Sequence, residues 1–189
     1  MKAEKHWDES ESIQLIRSMI EASKYQVADE KFLYLLWGYG VVVAGLSHYY
    51  LQFLTGYEYP YLVWLLMPIL GVIHFFYLNK KTQSVQSNTW IYRVLSGIWV
   101  GMLFAILAVV AGGFGIGWGK VYPVFMLLYG TSAFATGTAL EFKWLMLGGL
   151  LSIILGAIAF FFVFQFQLLL LVLAVLVSFV LPAHMMRKN

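Results

Sequence analysis

There is no cysteine in this chain, which excludes disulfides and thiolate metal sites and leaves metal binding to histidine and carboxylates. Charge is also scarce: Asp, Glu, Lys and Arg make up 11% of 189 residues, against about 25% in an ordinary soluble domain. Catalytic signatures are missing too, with no H-E-x-x-H, G-x-S-x-G or clustered D-x-D pattern. The glycine-rich "GGFGIGWGK", Gly112 to Lys120, is not a phosphate loop, because Val121 follows Lys120 where Ser or Thr is needed. Its five glycines lead instead to the expectation of a flexible or partly re-entrant turn. The expected class is therefore non-enzymatic, with no catalytic residue, cofactor or nucleic-acid partner indicated.

What is present is apolar surface. The chain is 61% hydrophobic and 18% aromatic, with a mean hydropathy of +0.79. Such a composition belongs in a bilayer, where a helix satisfies its own backbone and about 20 apolar residues cross the hydrocarbon. Six stretches meet that demand: 32–54, 60–78, 90–111, 121–140, 144–164 and 166–183. The last two are read as a tight hairpin around "FQFQ", since a single helix through both would be roughly 60 Å long, twice the hydrocarbon core. The expected fold is an all-α integral membrane protein, a six-helix bundle over 32–189 preceded by a cytoplasmic amphipathic helix within 1–31.

Basic residues set orientation, because Lys and Arg collect in cytoplasmic loops. With six spans the inside set is Lys2, Lys5, Arg17, Lys24, Lys31, Lys80, Lys81, Arg93, Lys143, Arg187 and Lys188, eleven of twelve positive charges. Only Lys120 falls outside, so both termini are expected on the cytoplasmic side of the membrane. Aromatic residues agree: Tyr57, Tyr59, Tyr61, Trp118 and Tyr122 cluster at outer ends, Trp90 and Trp144 at inner ends. The first 31 residues have no apolar core of signal-peptide type. Pro60 and Pro123 are expected to open spans, where a missing N–H is harmless, and Pro68 to kink the second helix.

Before the first span, Ile13, Ile16, Ile20 and Val27 share one helical stripe, with Leu15 and Met19 beside it. One amphipathic helix, about Glu9 to Ala28, is expected, with Asp8 and Glu11 as capping partners and Asp29 available to cap the next helix. Residues 1–31 hold five positive and seven negative charges, net −2, whereas the other inside positions sum to +5. This balance favours the helix lying on its own inner loops, or on a basic protein partner, over anionic lipid.

Small residues every fourth position mark helix contacts in membranes. Gly97, Gly101 and Ala105 form one such ridge, and Gly148, Ser152 and Gly156 another, offering contacts within a protomer or between copies in a homo-oligomer. The sixth span, "LLLLVLAVLVSFVL", carries no such mark and is expected to face lipid. The fourth is the most polar, with Thr131, Ser132, Thr136 and Thr138. There Gly130, Ala133, Gly137 and Glu141 lie on one stripe, either the floor of a small-molecule cavity or a tight packing surface.

Ionisable groups within a span are functional candidates by default. His48 in "GLSHYYL" and His74 in "GVIHFFYL" each follow a glycine by three residues and precede two aromatics. His48 lies roughly 24 Å from the inner end of its span and His74 roughly 21 Å from the outer end of the next. They should sit near opposite faces, so one metal or one haem cannot bind both. Interfacial packing, a proton path, or two single-histidine sites all remain open.

The stretch from "ESIQLIRSMIEASK" through "FLYLLWGYGVVVAGLSHYYL" resembles the opening of an uncharacterised family of small bacterial multi-span proteins, in which a soluble helix precedes a first span beginning with a "FLYLLWG"-like run. The resemblance covers about the first fifty residues and implies an inner-membrane protein without assigning any residue a role. The expected function is an accessory, sensor or assembly subunit in the lipid bilayer, with a cytoplasmic helix for its own inner face or a protein partner. A small oligomeric transporter or channel is the alternative, resting on His48, His74, Pro68, Thr131, Thr136 and Glu141. A lipid-modifying enzyme lacks a paired acid and base at one depth.

Overall fold

The computed structural model describes residues 9–29, 31–81 and 90–186. Asp8, the connection 82–89, Arg187 and Lys188 lie outside the described residues, as do the side chains of Glu11, Val27 and Asp29. The described chain is helical throughout and contains no strand. Helix α1 (Glu9–Asp29) precedes α2 (Lys31–Tyr49), which widens into a π turn over Tyr50–Leu54. A 3₁₀ segment, Pro60–Leu65, leads into α3 (Leu66–Lys81). Then come α4 (Trp90–Ile116), α5 (Trp118–Ala139), α6 (Lys143–Ala159) and α7 (Phe164–Val175), the last continuing through a π turn at Leu176–Val180 into α8 (Leu181–Met185).

Among the described residues, four helical segments are long and apolar enough to cross a membrane: Lys31–Leu54, Pro60–Lys80, Arg93–Ile116 and Phe164–Met185. Two of the six expected spans do not reach that standard. Helix α6 has 17 residues, about 25 Å, and α5 is diluted by Lys120, its glycines and its run of Thr and Ser. The apolar stretches instead divide into a central pair and a peripheral pair. Of the apolar window in Phe164–Met185, 61% is buried, against 6% in each of Pro60–Lys80 and Arg93–Ile116.

The core is built by close approach of backbones. A Cβ on Gly149 of α6 would stand 2.7 Å from the Gly130 carbonyl oxygen of α5, and one on Gly137 would stand 2.8 Å from Met146 Cα. Ser152 donates its hydroxyl to the Met126 carbonyl at 2.9 Å. One turn before Ser152, a Cβ on Gly148 would meet the Val177 carbonyl carbon at 2.9 Å, in the π turn after α7. Helix α2 reaches the same pair through Gly45 against Val172 and Gly38 against Val180. The order of packing is thus α2, α7, α6, α5, with α3 laid on α2 and α4 on α5.

Several expectations change. The last apolar segment is the most buried rather than lipid-facing, because Leu and Val are equally at home in lipid and in a protein core, so hydropathy cannot tell the two apart. The Gly97 and Gly101 ridge meets nothing within 4 Å, whereas Gly148, Ser152 and Gly156 are packed. The glycine-rich stretch is mostly helix: α4 runs to Ile116 and the reversal needs only Gly117, whose φ of 87° suits glycine. Pro123 therefore lies inside α5, not at its start. The last reversal is at Phe160–Val163 rather than at "FQFQ", because Gln167 bonds back to the end of α6 and the glutamines belong to the first turn of α7.

Helix α1 forms almost as its periodicity dictates and touches α4 and α2. The N-terminal part of its apolar stripe is open, with Ile13 53% and Ile16 56% exposed, whereas Met19 and Ile20 are half-buried.

Candidate functional site

Two histidine-centred hydrogen-bond clusters lie at the two ends of α2. At the end bearing Tyr57, four elements converge on His48. Pro68 has no N–H to give the Trp64 carbonyl, and the segment ahead of it runs as 3₁₀ rather than α helix. That tighter turn brings the Trp64 indole against α2, where Nε1 donates to His48 Nδ1 at 2.8 Å. The expected mid-span kink at Pro68 is thus a change of helix type near the start of α3.

His48 itself is 4% exposed. Its Nε2 is 2.9 Å from Gln52 Oε1, in the π turn one helical step on. Since an indole N–H only donates, Nδ1 is the acceptor and Nε2–H donates to Gln52, which fixes the neutral tautomer. Tyr122, from the first turns of α5, places its hydroxyl 3.4 Å from the same Nδ1. Edge-on contacts from Trp64, Tyr122 and Phe164 complete the enclosure, with ring centroids 6.3, 6.3 and 5.6 Å from the imidazole. Beside it Gln165 donates to the Tyr49 hydroxyl at 3.1 Å. A shallow groove of about 440 Å³, bordered by Leu46, Ser47, Tyr50, Leu51 and Val63, opens on the adjacent surface.

At the other end the roles of the two helices are exchanged. Trp37 of α2 donates to His74 Nδ1 of α3 at 2.8 Å, two residues before Tyr39, whose hydroxyl is 3.0 Å from His184 Nε2. Helix α2 and the segment formed by Pro60–Leu65 and α3 therefore each carry one tryptophan and one histidine, and each tryptophan serves the histidine of the other. Trp37 and His48 are separated by three turns of α2, about 16 Å. The two rings occupy separate sites, as the depth argument from sequence requires.

The stripe on α5 is a packing surface. Gly130 and Gly137 lie against the α6 backbone, so no open floor exists there. Thr136 is fully buried with its hydroxyl oxygen lacking a partner, as is Gln167 Oε1. Thr131 is exposed, and Thr138 bonds back to the Phe134 carbonyl at 2.9 Å. Glu141 occupies a left-handed position, φ 51°, immediately after α5. There Phe142 N–H reaches the Gly137 carbonyl at 2.8 Å and Glu141 N–H the Thr138 carbonyl at 3.2 Å, the Schellman pattern that glycine usually completes. Among the described residues, no group of three His, Asp or Glu is placed to hold a metal ion.

Sequence reasoning missed Trp37, Trp64, Gln52, Tyr122 and His184 as partners. A readable signal existed for the first two, since Trp37 and Trp64 precede His48 and His74 by eleven and ten residues, close to three helical turns. His184 was hidden by placing the last span's end at Ala183. Comparison with protein families, curated sequences and solved structures gives no match. What the fold defines is an all-helical protein with four membrane-length apolar helices and paired tryptophan–histidine contacts at both ends of one helix pair.

Proposed function

We propose that this chain is a non-enzymatic subunit of the bacterial inner membrane, with α2 to α7 forming six crossings and both termini in the cytoplasm. It serves as an accessory or assembly component whose α1 helix engages a protein partner. The observation that carries this reading is the uncovered Ile13 and Ile16 face of α1, held beside a bundle whose interior is filled. Exposed isoleucines on a helix face are stabilised by acquiring a cover. Its net acidic segment disfavours anionic lipid as that partner.

Orientation rests on Lys80 and Lys143 at one end of the bundle and Lys120 alone at the other. The transporter alternative loses support from the packing of Gly130, Gly137 and Thr136 against α6, which fills the surface a substrate path through α5 would use. The test is affinity purification of the full chain from native membranes, with mass spectrometry of what accompanies it. Ile13→Glu together with Ile16→Glu should release the associated protein while the bundle stays folded in the membrane. Retention of every associated protein would remove α1 from the function.

A further inference from the structure

The hairpin between α6 and α7 ends in five consecutive apolar residues, Phe160 to Phe164. Phe161 is 89% exposed and Val163 66%, with Phe160, Phe162 and Phe166 also on the surface. In water such a turn would be an anomaly, because reversals are normally polar. Here the polar side chains all point the other way. Gln165 turns in to the Tyr49 hydroxyl, and Gln167, 3% exposed, donates to the Ala159 and Phe162 carbonyls at 3.2 and 2.9 Å. Four backbone N–H groups are also used within the turn, Phe161 to Ile158, Phe162 to Ala159, and Phe166 and Gln167 both to Val163. A reversal with phenylalanine outside and amides inside is built for a medium that cannot hydrogen-bond.

Its level in the bundle agrees. Phe164 packs on His48, and Gln165 on Tyr49, whereas α2 continues through its π turn to Leu54, about 8 Å further along its axis. Helix α6 covers about 25 Å from Lys143 to Ala159, less than the ~30 Å hydrocarbon core. No charged residue occurs between Lys143 and Arg187.

We propose that the α6–α7 hairpin does not surface: its tip, Phe160 to Val163 with Phe166, is an interaction surface for acyl chains of the outer leaflet, and Gln167 replaces the water that a surface turn would use. The inference rests on the membrane orientation proposed above. The absence of native cysteine allows a direct test on the full chain. Phe161→Cys and Val163→Cys, both at exposed positions, are compared with Glu58→Cys in the loop after α2, first in intact cells with a membrane-impermeant maleimide. A nitroxide is then attached to each in lipid-only nanodiscs.

Labelling at positions 161 and 163 at least tenfold slower than at 58, with nitroxides relaxed by oxygen and not by a water-soluble nickel complex, is the expected result. Equal labelling at all three positions would put the tip in water and overturn the proposal while leaving the orientation intact. A position 58 that reacts only after lysis would overturn the orientation and the proposal with it. Nitroxides shielded from both oxygen and nickel would mean that protein, in practice a second copy, covers the tip, and this too would overturn it.

Discussion

The Trp64 indole nitrogen stands 2.8 Å from His48 Nδ1, in a geometry where only the tryptophan can be the donor. This bond ties the 3₁₀ segment to α2 across the loop containing Tyr57. Trp64→Phe removes the donor together with part of the ring and should destabilise the folded protein by about 1–3 kcal/mol or more, leaving His48 Nδ1 only the more distant Tyr122 hydroxyl and losing packing. A double-mutant cycle with His48→Ala, read by thermal unfolding in detergent, should give a coupling of at least ~1 kcal/mol. Strict additivity would mean that the pair contributes nothing.

Pro68 acts on the same contact from four residues away. With alanine there the N–H is restored and α-helix can extend back through Trp64, moving the indole off His48. Helicity measured by circular dichroism should rise in Pro68→Ala, yet the Trp64–His48 coupling should fall towards zero. An undiminished coupling would show that the proline does not place the tryptophan.

Glycines of α4 and α6 should respond in opposite directions to the same substitution. Gly101→Ala adds a methyl group where nothing lies within 4 Å, so helix propensity alone should apply, with a gain of up to ~1 kcal/mol. Gly149→Ala drives Cβ to 2.7 Å from the Gly130 carbonyl oxygen and should cost about 1–3 kcal/mol or more. Both are read as midpoints of denaturant unfolding in the same detergent.

At Glu141 backbone geometry and residue type disagree. Its φ of 51° costs an ordinary residue roughly 1–2 kcal/mol, so Glu141→Gly should be more stable than Glu141→Ala, which keeps the unfavourable φ, by about that amount, both having lost the same side-chain contacts. If the two variants have equal melting temperatures, the left-handed turn is not a source of strain.

How far these features could be read from sequence depends on the physics behind each. Helix α1 was legible because the surface helix must segregate Ile13, Ile16 and Ile20 from its charges, and that imprints a period. The first span was legible for a different reason, since it needs only length and apolarity. Neither rule says which helix is central, and α7 was misplaced because Leu168 and Leu171, fully buried, look no different from leucines in lipid. Gly148 and Gly97 likewise occupy similar small-residue ridges, and only the fold distinguishes the packed one from the open one. The turn at Phe160–Val163 was misread because polar residues signal turns in water, and Gln165 and Gln167 are turned inward. Of the site, the histidines stood out by charge, while Trp64, Gln52 and Tyr122 come from distant segments that only folding assembles.

The contrast between α4 and α5 also bears on how the chain is made. A helix as apolar as Arg93–Ile116 can leave the insertion machinery and rest in lipid by itself. Helix α5 has buried Ser132 and Thr136 and the bare backbone of Gly130 and Gly137 to hide, and lipid offers none of them a companion. In the six-crossing arrangement proposed above, its residence in the bilayer waits on α6, whose Gly149 and Ser152 seal that face within one hairpin. Biogenesis would then proceed by paired delivery at this step: a chain halted before Gly149 should leave α5 poorly inserted, and one extended through Ala159 should secure it.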